Sequence, residues 1–129
     1  MERIRLKTNN RVDLIDITAE VAAAAGKHRV KEGICVVFCP HTTAGLTINE
    51  NADPSVRQDI IRALTRLVPE GAGYRHAEGN SDSHIKSSLF GASLSIIVEE
   101  GQLQLGTWQG IYFCEGDGPR TREVWVKVA

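Results

Sequence analysis

The sequence has no excess of charge of either sign and no long hydrophobic run. Lysine and arginine together number 15 and aspartate and glutamate 16, so the formal net charge is −1. The basic surplus that is typical of proteins binding nucleic acids or anionic membranes is therefore missing. No apolar stretch approaches the roughly 20 residues of a membrane helix, and residues 1–5 lack the apolar centre of a signal peptide. We therefore predict a cytoplasmic protein with neither a nucleic-acid nor a membrane partner.

Cysteine pairs and the common catalytic fingerprints are also missing. The three cysteines, Cys35, Cys39 and Cys114, form no CxxC pair, which argues against a structural zinc knuckle. Their odd number fits free thiols in a reducing compartment. The sequence contains no Walker phosphate-binding loop, no dinucleotide fingerprint and no GxSxG nucleophile motif. These absences exclude several large enzyme classes, and the function has to be inferred from other residues.

The chain has enough residues for one domain, which we predict over 1–129. Its length and its apolar share of 42% are ordinary for a globular domain. Alternating polar and apolar residues predict strands over 3–7 and 12–17, joined as a β-hairpin. Thr18 is expected to cap a first helix that ends near Gly33. The apolar run over 34–38 predicts a strand that is buried on both faces, and residues 41–50 predict a loop followed by another strand.

The remainder of the chain predicts two further helices and a series of strands. Asp53 is followed by proline at a first helical position, which marks the start of a helix. An apolar stripe over 56–67 at helical spacing continues it. After a long glycine-containing loop, Asp82 or Ser83 is expected to cap a short helix that ends at Gly91. Four strands follow. The predicted fold class is α+β with a mainly antiparallel sheet, two longer helices and one short helix.

Three of the four histidines, His41, His76 and His84, lie at irregular or cap positions of the predicted elements. Three neutral imidazoles with one open coordination position form a recognised catalytic zinc site. The sequence has neither HExxH nor HxH spacing, so ordinary surface-loop histidines are the alternative interpretation. The fourth, His28, is expected close to the C-terminal end of the first helix. There it interacts favourably with the helix dipole and stays outside the site.

Other polar residues are candidates for the chemistry of such a site. Glu50 and Asp53 are candidate catalytic carboxylates or cation ligands, although Asp53 also has the simpler role of helix cap. Lys86, on the short helix, is a candidate catalytic cation. The candidates for binding a phosphorylated ligand are Ser87, Ser88, Arg120 and Arg122. A solvated helix face and a charged strand edge are the alternative interpretations of these residues.

Three motifs, in order along the chain, closely resemble the YjbQ family. They read HTTAGLTINENADP at 41–54, HIKSSL at 84–89 and LGTWQGI at 105–111, and the similarity extends to PRTR at 119–122. Members of this family are described as secondary thiamine-phosphate synthases. The resemblance implies a compact α+β fold that assembles as a homotrimer. It also implies a metal site made by histidines, carried here onto His41, His76 and His84.

Three functions are compatible with the resemblance and these residues. In the first, the chain joins an aminopyrimidine diphosphate to a thiazole phosphate and releases pyrophosphate, whose charge a metal, Lys86 and the arginines neutralise. In the second, a metal-activated water attacks an ester, amide or phosphate, with Glu50 or Glu78 as general base. In the third, the trimer binds a metal or a phosphorylated metabolite without catalysis. Three histidines favour zinc, and magnesium is the alternative if Asp53, Glu50 and Glu78 reach the site.

Overall fold

The computed structural model describes every residue from Met1 to Ala129 and contains eight strands and three helices. In chain order the elements are β1 (Glu2–Lys7), β2 (Asp13–Asp16), α1 (Thr18–Gly26), β3 (Gly33–Phe38), β4 (Ala44–Glu50), α2 (Pro54–Leu67), α3 (Ser81–Phe90), β5 (Ser93–Glu99), β6 (Gln102–Leu103), β7 (Gln109–Glu115) and β8 (Thr121–Val128). This is the predicted order of elements. The α+β fold class is confirmed.

The strands form two antiparallel sheets whose inner faces share one core. The larger sheet has five strands in the order β1-β8-β3-β5-β6, and the smaller sheet has three in the order β2-β7-β4. Val37 and Val126 of the larger sheet are fully buried, as are Leu46 and Phe113 of the smaller sheet. These residues belong to one cluster of 15 buried apolar residues, which also includes Val21 of α1. Burial of this cluster is the main favourable contribution to folding.

The predicted opening β-hairpin is wrong. β1 pairs with β8, where Ile4 lies opposite Val124. β2 pairs with β7 of the other sheet, where Leu14 lies opposite Cys114. The turn between β1 and β2 therefore carries the chain from one sheet to the other. A local turn signal cannot specify pairing between opposite ends of the sequence, because that pairing depends on which apolar faces are buried together.

The prediction that the strand after Gly33 is buried on both faces is also wrong. Cys35 and Val37 of β3 are fully buried, whereas Ile34 is 54% exposed and Val36 is 42% exposed. Successive side chains of a strand point to opposite faces, and in this chain only the inner face of the five-stranded sheet is covered. The outer face of this strand is therefore apolar and uncovered.

Helix α1 differs from its prediction at both ends. It ends at Gly26 rather than near Gly33, and the chain then turns at Arg29, whose positive φ of 55° cannot continue a right-handed helix. Thr18 is the first helical residue and does not act as the cap. The carboxylate of Asp16 accepts hydrogen bonds from the backbone N–H of Thr18 at 2.9 Å and from its hydroxyl at 2.6 Å. Asp16 therefore supplies the acceptor for a backbone N–H group at the start of the helix.

Helices α2 and α3 begin at different kinds of cap. Asp53 caps α2 as predicted, with its carboxylate accepting the N–H of Ser55 at 2.9 Å. Asn80, and neither Asp82 nor Ser83, occupies the cap position of α3. α2 has 14 residues, α3 ten and α1 nine, so the shortest helix is α1, which ends earlier than predicted, and not α3. None of the three helices is long and apolar enough to span a membrane.

Candidate functional site

A cluster of charged side chains lies where the start of α3 meets the turn between β7 and β8. Lys86 and Asp82, one helical turn apart on α3, form an ion pair at 2.8 Å, and both side chains are at most 2% exposed. Arg11, from the loop before β2, reaches the other oxygen of Asp82 at 2.9 Å. A buried charge that loses its partner is strongly destabilising. The two cations therefore hold the Asp82 carboxylate in the interior.

The turn after β7 supplies a second carboxylate. Asp117 accepts hydrogen bonds from Arg11 at 3.1 Å, from Arg120 at 2.9 Å and from the side-chain amide of Asn80 at 2.9 Å. Burial acts to raise the pKa of Asp117, but the bonds from Asn80 and Arg120 outweigh it and lower the pKa. Asp117 therefore stays charged and fixes the two arginines relative to α3.

Arg122 of β8 lies in the interior behind this turn. Its guanidinium binds both carboxylate oxygens of Glu115 on β7, and the two side chains are 5% and 0% exposed. Thr8 donates to Glu115 at 2.7 Å, and Arg122 donates to the hydroxyl of Thr43 at 2.9 Å. Burial acts to raise the pKa of Glu115, yet the bonds from Arg122 and Thr8 lower it. Arg122 is therefore held in the interior by Glu115 and Thr43.

His41, which follows β3, lies close to this buried pair. Its Nε2 accepts the backbone N–H of Glu123 at 3.0 Å, and its ring packs edge-on against Phe113 with the centroids 6.4 Å apart. Burial and the positive charge of Arg122 lower the pKa of His41, so its ring is neutral at neutral pH. Burial raises the pKa of the nearby Cys39 thiol, which makes that thiol a poor nucleophile.

The other two predicted metal ligands, His76 and His84, contact each other. Their rings are perpendicular, with the centroids 5.4 Å apart. His76 lies in the loop between α2 and α3, where its Nε2 is 3.6 Å from a carboxylate oxygen of Glu78. No group of three or more histidine, cysteine, aspartate or glutamate side chains is arranged to hold a metal ion. The expected set of three imidazoles is therefore not assembled within one chain. His41 is instead hydrogen-bonded to the backbone of β8.

The remaining predicted site residues lie in two places, on α3 near the charge cluster and at the far end of β4. Ser87 donates to the carbonyl of Ala44 at 2.7 Å, and Ser88 donates to a carbonyl one turn earlier at 3.0 Å. Both hydroxyls are thus engaged by the main chain. Glu50 lies at the far end of β4 from Ala44, about 20 Å along the strand at 3.3 Å per residue. Asp53 follows it as the cap of α2, so these two acids lie apart from the charge cluster.

His28 lies just beyond the last residue of α1. Its Nδ1 is 3.2 Å from the carbonyl oxygen of Ala24 in the last turn of the helix. This is the interaction with the helix C-terminus that the sequence predicts. His28 therefore has a structural partner of its own outside the candidate site.

Sequence reasoning missed most of the partners of the cations. Asp82 and Lys86 are four residues apart, a spacing typical of ion pairs on a helix, and this signal was available. The turn after β7 also places Asp117 close to Arg120 in sequence. Nothing local marks Arg11 as part of the cluster, because only the pairing of β2 with β7 brings it there.

The fold and the charge cluster define a small α+β protein with two antiparallel sheets and a polar site at the start of its third helix. Residues 2–129 match the model of a family described as UPF0047 protein YjbQ-like. The chain belongs to the YjbQ family.

Relatives and solved structures agree with this assignment. The chain is 56% identical over 126 residues to UPF0047 protein MJ1081 of Methanocaldococcus jannaschii, covering 98% of this chain and 91% of that protein. It is 51% identical over 129 residues to UPF0047 protein YugU of Bacillus subtilis, covering 99% and 98%. An uncharacterized YjbQ/UPF0047 protein from Clostridium acetobutylicum has a TM-score of 0.98 at 55% identity, with both chains fully covered. These comparisons establish family and fold, and the reaction is a matter for proposal.

Proposed function

We propose that the chain is an enzyme acting on small phosphorylated metabolites, and that its reaction is the secondary thiamine-phosphate synthase activity implied by the resemblance. This reaction joins an aminopyrimidine diphosphate to a thiazole phosphate and releases pyrophosphate. The observation that supports it most is the gathering of four cations from separate parts of the chain at the start of α3. These cations are Arg11, Lys86, Arg120 and Arg122.

The four cations have different roles in this proposal. The side chain of Arg120 is 52% exposed and is held by Asp117, so it remains accessible to a ligand. Arg11 is 33% exposed, and its three nitrogens contact the carboxylates of Glu70, Asp82 and Asp117, so we assign it the linking of these acids. Anchored guanidinium groups stabilise the negative charge that develops on a departing diphosphate. Lys86 and Arg122 are buried and paired, so we assign them the positioning of Asp82 and Glu115 rather than contact with substrate.

His84 and His76 are the proton-transfer groups of the proposed site. The imidazole of a histidine can give or take a proton near neutral pH, and the two rings lie at the start of α3 beside the charge cluster. A proton given to the departing diphosphate assists its release. The proposal also includes a divalent metal, zinc first and magnesium as the alternative. It assigns no step to that metal, because the three predicted ligands are not assembled within one chain.

We also propose that the protein works as a homotrimer in the cytoplasm. The outer face of the five-stranded sheet carries exposed apolar side chains, which are Ile34, Val36, Phe38 and Ile97. Contiguous exposed apolar surface of this kind marks protein–protein interfaces, and a ring of three copies is a closed assembly. The three cysteines are free and buried, which fits a reducing compartment.

A metal-dependent hydrolase is the second candidate, favoured by the exposed pair of His76 and Glu78. Their side chains are 3.6 Å apart in the loop that precedes α3, where the carboxylate is placed to act as a general base. In that reaction a water molecule, rather than a thiazole nitrogen, attacks the substrate. A binding module without catalysis is the third outcome that the test below has to distinguish.

The test is turnover by the purified protein with both substrates of the synthase reaction. Parallel samples contain added zinc, added magnesium or a chelator, and the product is thiamine phosphate. We expect product above the level of a protein-free control. Simple esters and phosphate monoesters are tested alongside. Turnover of those compounds without thiamine phosphate would favour the hydrolase, and metabolite-induced thermal stabilisation without any turnover would favour a binding module. Either result would overturn the proposal.

A further inference from the structure

A second group of cations lies at the edge of the five-stranded sheet. β1 is an edge strand, and Arg5 and Lys7 are exposed on the same face of it. Thr121 of β8 lies opposite Lys7, and Arg120 precedes it in the turn. Two clefts adjoin here, of about 310 and 250 Å³, and both are lined by Lys7 and Thr121. Arg5 lines the first cleft, and Arg120 lines the second together with Asn9.

The charge of this surface is unbalanced. No acidic residue lines either cleft, and Glu123 of β8, which lies opposite Arg5, forms no salt bridge with it. Arg5 and Lys7 have no salt bridge, whereas Arg120 donates from Nε to the carbonyl of Asp117 at 2.8 Å and from Nη2 to its carboxylate at 2.9 Å. The guanidinium of Arg120 is thereby oriented, and its other amino group has no partner.

Basic residues on an edge strand often serve only to prevent edge-to-edge aggregation. That role accounts for Arg5 and Lys7 but not for Arg120, which lies outside the strand and is anchored by a buried carboxylate. It also does not account for the clefts, since a repelling edge needs charge but no concave surface. A concave surface lined by three cations and by no acidic residue is typical of a site for an anionic ligand.

We propose that these two clefts form a subsite for a diphosphate group, either pyrophosphate itself or an organic diphosphate. Each cleft has its own arginine, and Lys7 lies between them, so the arrangement suits two linked phosphates better than one. Arginine binds phosphate oxygens through paired N–H groups, and lysine adds a mobile point charge. The choice of this ligand class rests on the proposed function, whose substrate and product both contain a diphosphate.

The experiment measures binding of inorganic pyrophosphate and inorganic phosphate to the full chain by calorimetry at fixed ionic strength. The test variant is Arg5→Gln/Lys7→Gln. The matched control, Arg62→Gln/Lys31→Gln, removes one arginine and one lysine that are exposed and outside the clefts. We expect pyrophosphate to bind more tightly than phosphate. We expect the test variant to weaken pyrophosphate binding by roughly tenfold or more, as the loss of charge-assisted hydrogen bonds implies, and the control to stay within about twofold.

Three results would overturn the subsite: no pyrophosphate binding by the unmodified chain, equal losses in both variants, or unchanged binding in the test variant. Thermal unfolding of each variant verifies that the exposed substitutions leave the fold intact. Different results refute the subsite and the proposed reaction. Pyrophosphate binding that depends on Arg5 and Lys7 without thiamine phosphate formation would refute the reaction only. Full turnover by the test variant would refute the subsite only.

Discussion

At the scale of single residues, burial separates the cations that build the site from those that face a ligand. Lys86 and Arg122 are enclosed with Asp82 and Glu115, and neither can approach a phosphate without breaking a buried ion pair. Arg120 is anchored by the same kind of partner but keeps part of its guanidinium in solvent. Pre-oriented, exposed cations bind anions with a small loss of side-chain entropy. This difference is the basis for assigning them separate roles.

Acidification should destabilise the fold through His41. Burial and the charge of Arg122 lower the pKa of His41 below its ordinary value of 6.5, and Glu115 and Glu123 oppose the shift only in part. The unfolded chain therefore takes up the proton first. The contribution is fully present above pH 6.5 and is lost as the pH falls below that value. We predict that His41→Gln flattens the loss of stability between about pH 7 and pH 5.5, measured by urea unfolding.

The control for this prediction is His28→Gln, whose ring contacts the end of α1 instead of Arg122. It should leave the pH dependence of the unmodified protein in place. A slope that is unchanged in His41→Gln would contradict the account of this histidine.

At the scale of elements, the sequence predicted where the helices and strands lie along the chain better than it predicted which strands pair with each other. α2 combines a proline start, the Asp53 cap and an apolar stripe, all of which are local signals. The pairing of β1 with β8 joins the two ends of the sequence, and no local pattern specifies it. In the candidate site, too, the local features could be predicted from the sequence and the long-range contacts could not. The spacing of Asp82 and Lys86 was readable, whereas the entry of Arg11 into their pair depends on the packing of the two sheets.

Helix α3 is attached to the fold mainly by polar side chains, with one apolar contact at its last residue, where Phe90 packs against the cluster around Leu14. Its buried residues are Asp82, Ser83 and Lys86, and none of them is apolar. Because its buried face is polar, hydrophobic periodicity gives little indication of its length. The ion pair and its neighbours should therefore determine whether this helix docks.

We predict that Asp82→Asn lowers the free energy of unfolding by about 3–5 kcal/mol, since it leaves buried Lys86 without a carboxylate. The double variant Asp82→Asn/Lys86→Met should recover part of this loss, because no isolated charge remains in the interior. Asp59→Asn, on an exposed position of α2, is the matched control and should change stability by less than about 0.5 kcal/mol. Denaturant unfolding measures all three. Equal stability of Asp82→Asn and Asp59→Asn would contradict the role of the pair.

At the scale of the whole molecule, one chain leaves half of its central strand uncovered. The outward side chains of β3 are apolar, and Phe38 among them stacks on Trp125 of β8 with ring centroids 5.7 Å apart. Arg3 of β1 lies over the same tryptophan. An apolar patch with a basic border is suited to a subunit interface, whose core excludes charge and whose rim tolerates it. The proposed trimer covers this face.

We predict that light scattering gives a mass close to three times the 14.1 kDa of one chain. Ile34→Lys, opposite Ile97 on the uncovered face, should dissociate the assembly, because it places a charge between apolar side chains of the interface. Ala23→Lys, at an exposed position of α1, adds the same charge elsewhere and should leave the mass unchanged. A stable monomer at micromolar concentration in the unmodified protein would remove the trimer from the account.

The proposed reaction takes place at the start of α3, where the ring of His84 contacts that of His76. Its most direct test is the rate of thiamine phosphate formation by His84→Ala, compared with His28→Ala and the unmodified chain under the same metal conditions. Loss of a proton-transfer group typically lowers a rate by about 10²–10⁴-fold. We predict a loss of that order in His84→Ala and an unchanged rate in His28→Ala. An undiminished rate in a folded His84→Ala variant would contradict the placement of the site.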